Sequence, residues 1–289
     1  MSGVLYIVST PIGNLEDISL RALRLLREVA VIAAEDTRHT RKLLNHFEIP
    51  TPATAYHEHN KLTRLDYILD KLRAGENVAL VSDAGTPCIS DPGWELVRAA
   101  LEENITVDAA PGPAAPIVAL VLSGFAPHGF TYAGFPPRKK SELITWLSGW
   151  RSVVERHPLI FFEAPHRLVA TLDIALQTLG DRPVAVCREL TKLHQEVRRE
   201  MLSEALAHFQ TTDPRGEFTL VLAPSGEALD SQETDQAPAE LDPRQRLLEL
   251  KAAGIRAREA VEIVSKETTL PRRQVYELWL NLKEPENKA

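Results

Sequence analysis

"VALVSDAGTPCISDPG", residues 78–93, decides how this chain is read. Four apolar residues lead into Ser82-Asp83, and a second Ser-Asp pair follows at Ser90-Asp91, with Gly85 and Gly93 close behind. A short apolar run that stops at glycine and proline reads as a buried strand entering a loop. Small residues in such a loop let the backbone come close to a ligand, and the two carboxylates set the charge that ligand should carry.

The same pattern recurs on both sides. "VLYIV" (4–8), "VAVIAA" (29–34) and "ITVDAA" (105–110) read as further buried strands, and "SLRALRLLREV", "RHTRKLLNHF", "KLTRLDYILDKLRA" and "PGWELVRAALEE" as helices with one apolar stripe. This βαβ alternation predicts a largely parallel sheet covered on both faces. A second series begins near 130 with "FTYAGF", then a helix over 139–150, the strand "PLIFFEA", a helix over 166–179 and the strands "RPVAVCREL" and "GEFTLVLAP". Glycine and proline cluster between the two series in "SGFAPHGF", 123–130. The expected organisation is an α/β domain over 1–125, a second over 126–224, an acidic mobile linker over 225–240, and three short helices over 241–289. In the last of these helices Val275, Leu278, Trp279 and Leu282 share a face, with Pro271 in its first turn.

The totals exclude several classes. Two cysteines, Cys88 and Cys187, build no disulfide framework and form no CxxC pair for zinc. The N-terminus lacks the basic start and apolar stretch of a signal peptide. The longest apolar run, "AAPIVALVL" (114–122), is far below the ~20 residues of a membrane span. A cytoplasmic protein is expected, with no membrane partner. The net charge of −7 does not exclude nucleic acid: residues 225–240 hold five carboxylates and no lysine or arginine, so they carry −5 of it.

In open α/β sheets ligands bind beyond the carboxyl ends of the parallel strands. Three loops fall there: "STPIGN" (9–14), "SDAGTPCISDPG" (82–93) and "APGPAA" (110–115). None matches GxGxxG or GxxxxGK[ST], the phosphate-binding fingerprints. Asp83 and Asp91 argue further against a phosphate, since like charges ~4 Å apart repel by about 4 kcal/mol at an effective dielectric near 20. S-adenosylmethionine, with a sulfonium, an ammonium and no phosphate, suits such a loop. The plainer reading makes these ordinary turns with Asp91 as a helix cap before "PGWEL".

"STPIGNLEDIS", "AAEDTRHTRKLL", "VSDAGTPCISDPG", "PGPAA" and "FFEAPHR" together resemble the bacterial 16S ribosomal RNA cytidine 2′-O-methyltransferases, the small-subunit methyltransferase I family within the tetrapyrrole-methylase superfamily. The resemblance covers 4–224, and the terminal helices are similar to that family's helix-turn-helix extension. It implies two α/β domains with S-adenosylmethionine in the cleft between them, usually in a homodimer, acting on 16S ribosomal RNA of the small subunit. Carried over by position, it implies cofactor contacts from Thr10 and Pro11, from Asp83, Ala84, Gly85 and Thr86, from Ala114 and Ala115, and from Phe162. The first loop departs from the glycine-rich form of many superfamily relatives.

Methyl transfer from a sulfonium needs alignment of acceptor, methyl and sulfur, and no metal. A ribose hydroxyl reacts better with a positioned base. Candidate catalytic groups are Asp36, beside Glu35 at a strand end, His57 in "YHEHN" with His59 and Asn60, and Glu163 in "FFEAPHR". Asp36 could equally cap a helix and pair with Arg38, and Arg167 could bind a phosphate or pair with Glu163. Candidate RNA contacts are Arg38, Arg41 and Lys42; Arg138, Lys139 and Lys140; Arg167; Arg198 and Arg199; and Arg272 and Arg273 in a C-terminal segment whose ten basic and eight acidic residues give it a charge of +2.

Two other readings compete. One keeps the fold and cofactor but gives a tetrapyrrole or other small acceptor; the basic appendage and "EDTRHTRK" disfavour it. The other is a ligand-sensing DNA-binding regulator, disfavoured by a single small helical unit of weak net charge.

Overall fold

The computed structural model describes residues 2–57, 61–125, 129–225, 243–252, 255–268 and 270–281. The chain divides into two compact units, Met1–Leu229 and Asp230–Ala289.

The first unit contains two five-stranded sheets. In the first sheet, β1 (Val4–Val8), β2 (Val31–Ala34), β3 (Ala53–Ala55), β4 (Val78–Val81) and β5 (Thr106–Ala110) lie in the order β3-β2-β4-β1-β5. Every pairing is parallel, as the alternation predicts. The helices α1 (Leu20–Glu28), α2 (Thr37–His46), α3 (Lys61–Arg73) and α4 (Trp94–Glu102) divide between its faces. Leu5, Ile7, Val78 and Leu80 pack with Ile68 and Leu72 of α3 and Leu96 and Ala100 of α4. The alternate residues Val8, Ile32, Ala79 and Val81 pack with Ala22, Leu25 and Leu26 of α1 and Leu44 of α2. With both faces covered, β2 and β4 are buried at every position.

After β5 come α5 (Ala115–Ser123), β6 (Thr131–Tyr132), α6 (Lys140–Val154), β7 (Leu159–Glu163), α7 (Leu168–Leu179), β8 (Pro183–Arg188), β9 (Glu196–Met201), α8 (Leu202–Thr211) and β10 (Phe218–Leu222). The second sheet runs β6-β7-β10-β8-β9 and is antiparallel except for β6–β7. Leu159, Phe161, Val184, Val186, Leu220 and Leu222 point to the layer formed by α6, α7 and α8. Ile160, Ala185, Cys187 and Val221 face Ala119 and Leu120 of α5. The apolar run 114–122 is thus a helix that leaves the first sheet and roofs the second.

Several elements depart from the sequence reading. β3 is three residues long, below the length at which alternation is visible. β9, "EVRREM", is a charged edge strand in which Val197 packs against the core beneath α5. "FTYAGF" forms a strand only over Thr131 and Tyr132, though backbone bonds to β7 continue at Ala133 and Gly134, where the chain turns at φ +67°.

In the second unit α9 (Pro243–Ala252), α10 (Ala257–Glu267) and α11 (Arg272–Leu280) enclose Leu247, Ala260, Val261, Val264 and Val275, with Leu278 and Trp279 packed against them. Pro271 is the N-cap of α11 rather than part of its first turn, its carbonyl accepting from the Gln274 and Val275 N–H groups. The expected linker lies outside the described residues except at Ser225, as do His59, Asn60, Leu282 and residues 126–128 of the expected domain junction.

Candidate active site

A parallel sheet delivers all its strand ends to one edge, so β1, β4 and β5, which are neighbours, place their three loops side by side. The loops are bonded to one another. Thr10 and Gly85 exchange backbone hydrogen bonds, Thr10 N–H to Gly85 O at 2.9 Å and Gly85 N–H to Thr10 O at 3.1 Å. Thr10 Oγ1 donates to Ser82 O (3.1 Å), Ser9 Oγ and Thr86 Oγ1 lie 2.9 Å apart, and Thr86 Oγ1 donates to Pro113 O (3.3 Å). Gly112 must be glycine for the third loop to lie this close, because a Cβ there would stand 2.8 Å from Ser9 Cβ. Ala84 is exposed and Pro11 half-buried in this frame, and Ala114 is the N-cap of α5, whose first residue is Ala115. The sequence reading assigned the ends of these loops; Ser9, which ties two of them together, carries no signal in sequence.

The adjacent strands β2 and β4 add carboxylates to this edge. Asp36 N–H donates to Asp83 Oδ1 (3.0 Å), and Asp83 N–H to Glu35 Oε2 (3.4 Å). Burial pushes the Asp91 carboxyl up to about 6, with the charges of Glu35 and Asp83 adding to the rise and the buried Ser82 hydroxyl opposing it. Burial likewise raises Glu35, helped by Asp83 and Asp36 and opposed by the Asp83 N–H and by His57. His57 follows β3 and stands near Glu35 for that reason. Asp91 is therefore not a helix cap: α4 starts from Gly93 with no side-chain cap, and the Asp91 carboxyl is near enough to Glu35 and Asp83 to feel their charges. Among the described residues no three His, Cys, Asp or Glu side chains are grouped to hold a metal ion.

Asp36 and Glu163 have other work. Asp36 Oδ1 accepts from Arg38 N–H (2.8 Å) at the start of α2, and the Arg38 guanidinium grips both carboxylate oxygens. That grip holds Asp36 well below the usual carboxylate range, so its neighbour Glu35 is the stronger base of the two. The Glu163 side chain is fully buried; it accepts from Thr171 Oγ1 (2.5 Å) and Ala164 N–H (2.8 Å) and lies 3.3 Å from Arg167 Nε. Arg167 Nη2 donates in turn to Pro136 O (3.1 Å) and Pro137 O (2.7 Å). The pairing alternative for Glu163 and Arg167 is the one found, and its effect is to fix the loop after β6.

That loop meets the first sheet. Ser90 Oγ and Tyr132 Oη are 2.7 Å apart, and a Cβ on Gly134 would lie 3.4 Å from Ser90 Oγ. Cys88 (φ +70°) and Ser90 (φ +64°) adopt left-handed backbone to make this approach. Phe162 stands at the end of β7 with its ring 5.3 Å from Tyr132 and 5.2 Å from Phe135. On the first loop, Asn14 N–H donates to Thr191 Oγ1 (3.1 Å), a second tie between the halves.

The basic residues differ in how free they are. Arg41, Lys42, Arg138 and Lys140 are exposed, whereas Lys139 pairs with Glu142 at 3.0 Å. Arg198 is held by Glu200, and Arg199 Nε donates to Leu122 O at the end of α5 (2.8 Å). Arg272 and Arg273, in the second unit, make exposed pairs with Glu262 and Glu277. Among the described residues no helix is long and apolar enough to cross a membrane.

This architecture and sequence have known counterparts. The family model for tetrapyrrole (corrin/porphyrin) methylases matches residues 4–206. Solved structures of uroporphyrin-III C-methyltransferase from Thermus thermophilus (TM-score 0.56, 20% identity, 76% of this chain and 97% of that one) and of the methyltransferase CobJ (0.60, 17%, 79% and 97%) share the fold. In sequence the chain is 46% identical to the ribosomal RNA small subunit methyltransferase I of Synechocystis sp., over 97% of this chain and 98% of that one. It is 44% identical to the protein of that name from Halalkalibacterium halodurans, over 96% and 94%. The protein of that name from Thermotoga maritima is 48% identical over 221 residues, 76% of this chain and 98% of that one. The bonded loops at the edge of a parallel sheet and these near full-length identities have one explanation: the chain belongs to the ribosomal RNA small subunit methyltransferase I family of the tetrapyrrole methylases.

Proposed function

We propose that the chain transfers a methyl group from S-adenosylmethionine to the ribose 2′-hydroxyl of a cytidine in the decoding region of 16S ribosomal RNA. The observation that carries this reading is the convergence of Glu35, Asp83 and Asp91 on three loops without a phosphate fingerprint, in a family whose members are named for small-subunit RNA. When bound, S-adenosylmethionine supplies a methyl group activated by its sulfonium. The residues present fit it: clustered acids raised by burial and mutual repulsion gain from an organic cation. Asp83 and Asp91 would hold the positive end, Thr10, Gly85 and Thr86 would offer backbone and hydroxyl contacts, and the start of α5, which has no side-chain cap, suits a carboxylate. Glu35, with His57 near it, is the group best placed to draw a proton from an incoming hydroxyl.

The ionisation of Asp91 makes cofactor binding pH-dependent. Its carboxyl is raised, so it is protonated below about pH 6 and charged above. A cationic cofactor prefers the charged form. Affinity should therefore be steady at pH 7 and above and fall by about tenfold per pH unit below 6. Asp91→Asn should remove that dependence; calorimetric titration between pH 5 and 8 checks both.

The α/β unit would perform the chemistry and the C-terminal helices would dock the enzyme on RNA. The Thermotoga maritima relative supports this division, since its match of 221 residues, 98% of its own length, is close to the size of the unit Met1–Leu229. Within that unit we read 1–125 and 126–224 as two lobes about the cofactor, and the enzyme as a cytoplasmic homodimer. Arg38, Arg41, Lys42, Arg138, Lys139 and Lys140 would line the RNA path. Arg272→Ala with Arg273→Ala should weaken RNA binding, lower the salt slope of log K by about 1.5 to 2, and leave cofactor affinity unchanged. Filter binding over a salt series measures the first two.

The deciding experiment supplies labelled S-adenosylmethionine with unmodified small ribosomal subunits, free 16S RNA or a tetrapyrrole precursor. Label in an alkali-resistant cytidine dinucleotide supports the proposal, because 2′-O-methylation blocks hydrolysis at its own linkage. Label only in the tetrapyrrole favours the second reading, and cofactor binding without transfer to any of the three overturns the RNA assignment.

A further inference from the structure

Phe135 is a large aromatic ring held out of the core. It is 59% exposed, while the next residue, Pro136, is buried. Hydrophobic packing does not hold it there; the loop does. Gly134 turns at φ +67°, Phe162 N–H donates to Gly134 O (2.9 Å), and Arg167, braced by the buried Glu163, grips the carbonyls of Pro136 and Pro137. The ring is backed by Phe162 at 5.2 Å, tilted 58°, and Phe162 by Tyr132 at 5.3 Å. A rigid, backed ring with one free surface is a stacking surface prepared in advance, and ordering it on binding costs little entropy.

Its surroundings say what would stack. Arg138 and Lys140, three and five residues on, are exposed, and neither is in an ion pair among the described residues. Through Tyr132 and Ser90 the same loop touches the 82–93 loop at 2.7 Å, so the ring sits one residue from the frame of the candidate active site. A flat aromatic surface beside exposed cations is the combination that holds single-stranded nucleic acid, base on ring and phosphate on cation.

We propose that Phe135 is a base-stacking platform that holds an unpaired nucleotide of the RNA substrate next to the site of transfer, with Arg138 and Lys140 on its phosphates. The inference rests on the RNA reading above. It also gives the Glu163–Arg167 pair its function, as a positioning brace rather than as chemistry: Glu163→Gln should loosen the loop and act through Phe135.

The test has two arms. In the first, Phe135→Leu and Phe135→Trp are compared with the unaltered chain in methyl transfer to small-subunit RNA and in cofactor binding. Stacking is worth roughly 5- to 150-fold per base, so Phe135→Leu should raise KM for RNA by that factor, Phe135→Trp should restore it, and cofactor affinity should stay the same in both. In the second, Phe135→Trp emission is titrated with a single-stranded RNA of roughly ten nucleotides and with its duplex, less the signal of the unaltered chain. Quenching by the single strand alone is expected. An unchanged KM in Phe135→Leu, a weakened cofactor affinity, or no quenching overturns the platform. Methyl transfer to no RNA by the unaltered chain sinks the functional reading instead, and the quenching arm still decides the platform by itself.

Discussion

Asp83→Ala is expected to weaken S-adenosylmethionine binding by roughly 10- to 150-fold, the worth of one charge-assisted hydrogen bond. The substitution removes a charge from the centre of the acidic group and leaves Asp36 N–H without its acceptor at 3.0 Å. Asp83→Asn separates the two effects, since its amide oxygen still accepts from Asp36 N–H while the charge is gone. If the charge holds the cofactor, both variants lose affinity alike in calorimetry. If only the clasp between strand ends matters, the asparagine variant binds normally. Cofactor affinity unchanged in both would mean that the 82–93 loop is not the cofactor's site.

Gly93→Ala should cost about 3 kcal/mol of stability, enough to shift a urea midpoint plainly. Gly93 has φ +135°, a conformation that side chains rarely adopt, and a Cβ would meet Leu80 Cδ2 at 2.5 Å and Cys88 Sγ at 3.0 Å. Leu80 cannot retreat, because it is buried between the sheet and α4. Gly149→Ala is the control: it lies in α6 with nothing within 4 Å of a Cβ, and helix propensity alone should make it neutral or stabilising by up to about 1 kcal/mol. A loss below about 1 kcal/mol in Gly93→Ala would show that the loop relaxes around the new methyl group.

These two residues bracket what could be read from sequence. The place of Asp83 at a strand end was legible: a carboxylate in a loop after an apolar run is a local pattern, and local patterns survive without coordinates. Asp91 was visible too, but two uses of it fitted the same letters. A helix cap and a site carboxylate differ only in where the side chain points; α4 starts from Gly93, which removes the cap and leaves the site role as our proposal. For Asp36 the plainer alternative held, cap and Arg38 pair together. Glu163 followed an apolar strand just as Glu35 did, yet the Thr171 hydroxyl of α7 and Arg167 enclose it. Nothing in "FFEAPHR" tells a catalytic acid from a brace, because the partners arrive from elements folded onto it.

By itself the sequence determined the parallel first sheet and the strand-end loops, since hydrophobic period, glycine and charge are properties of neighbouring residues. Only the tertiary structure decided that α5 leaves one sheet to roof the other, that Ser9, Thr10, Gly85 and Thr86 lock three loops into one frame, and that Phe135 stands exposed beside it. Those facts depend on contacts between residues up to about a hundred positions apart along the chain. They are fixed by packing and by the pairing of distant polar groups, which no local pattern encodes.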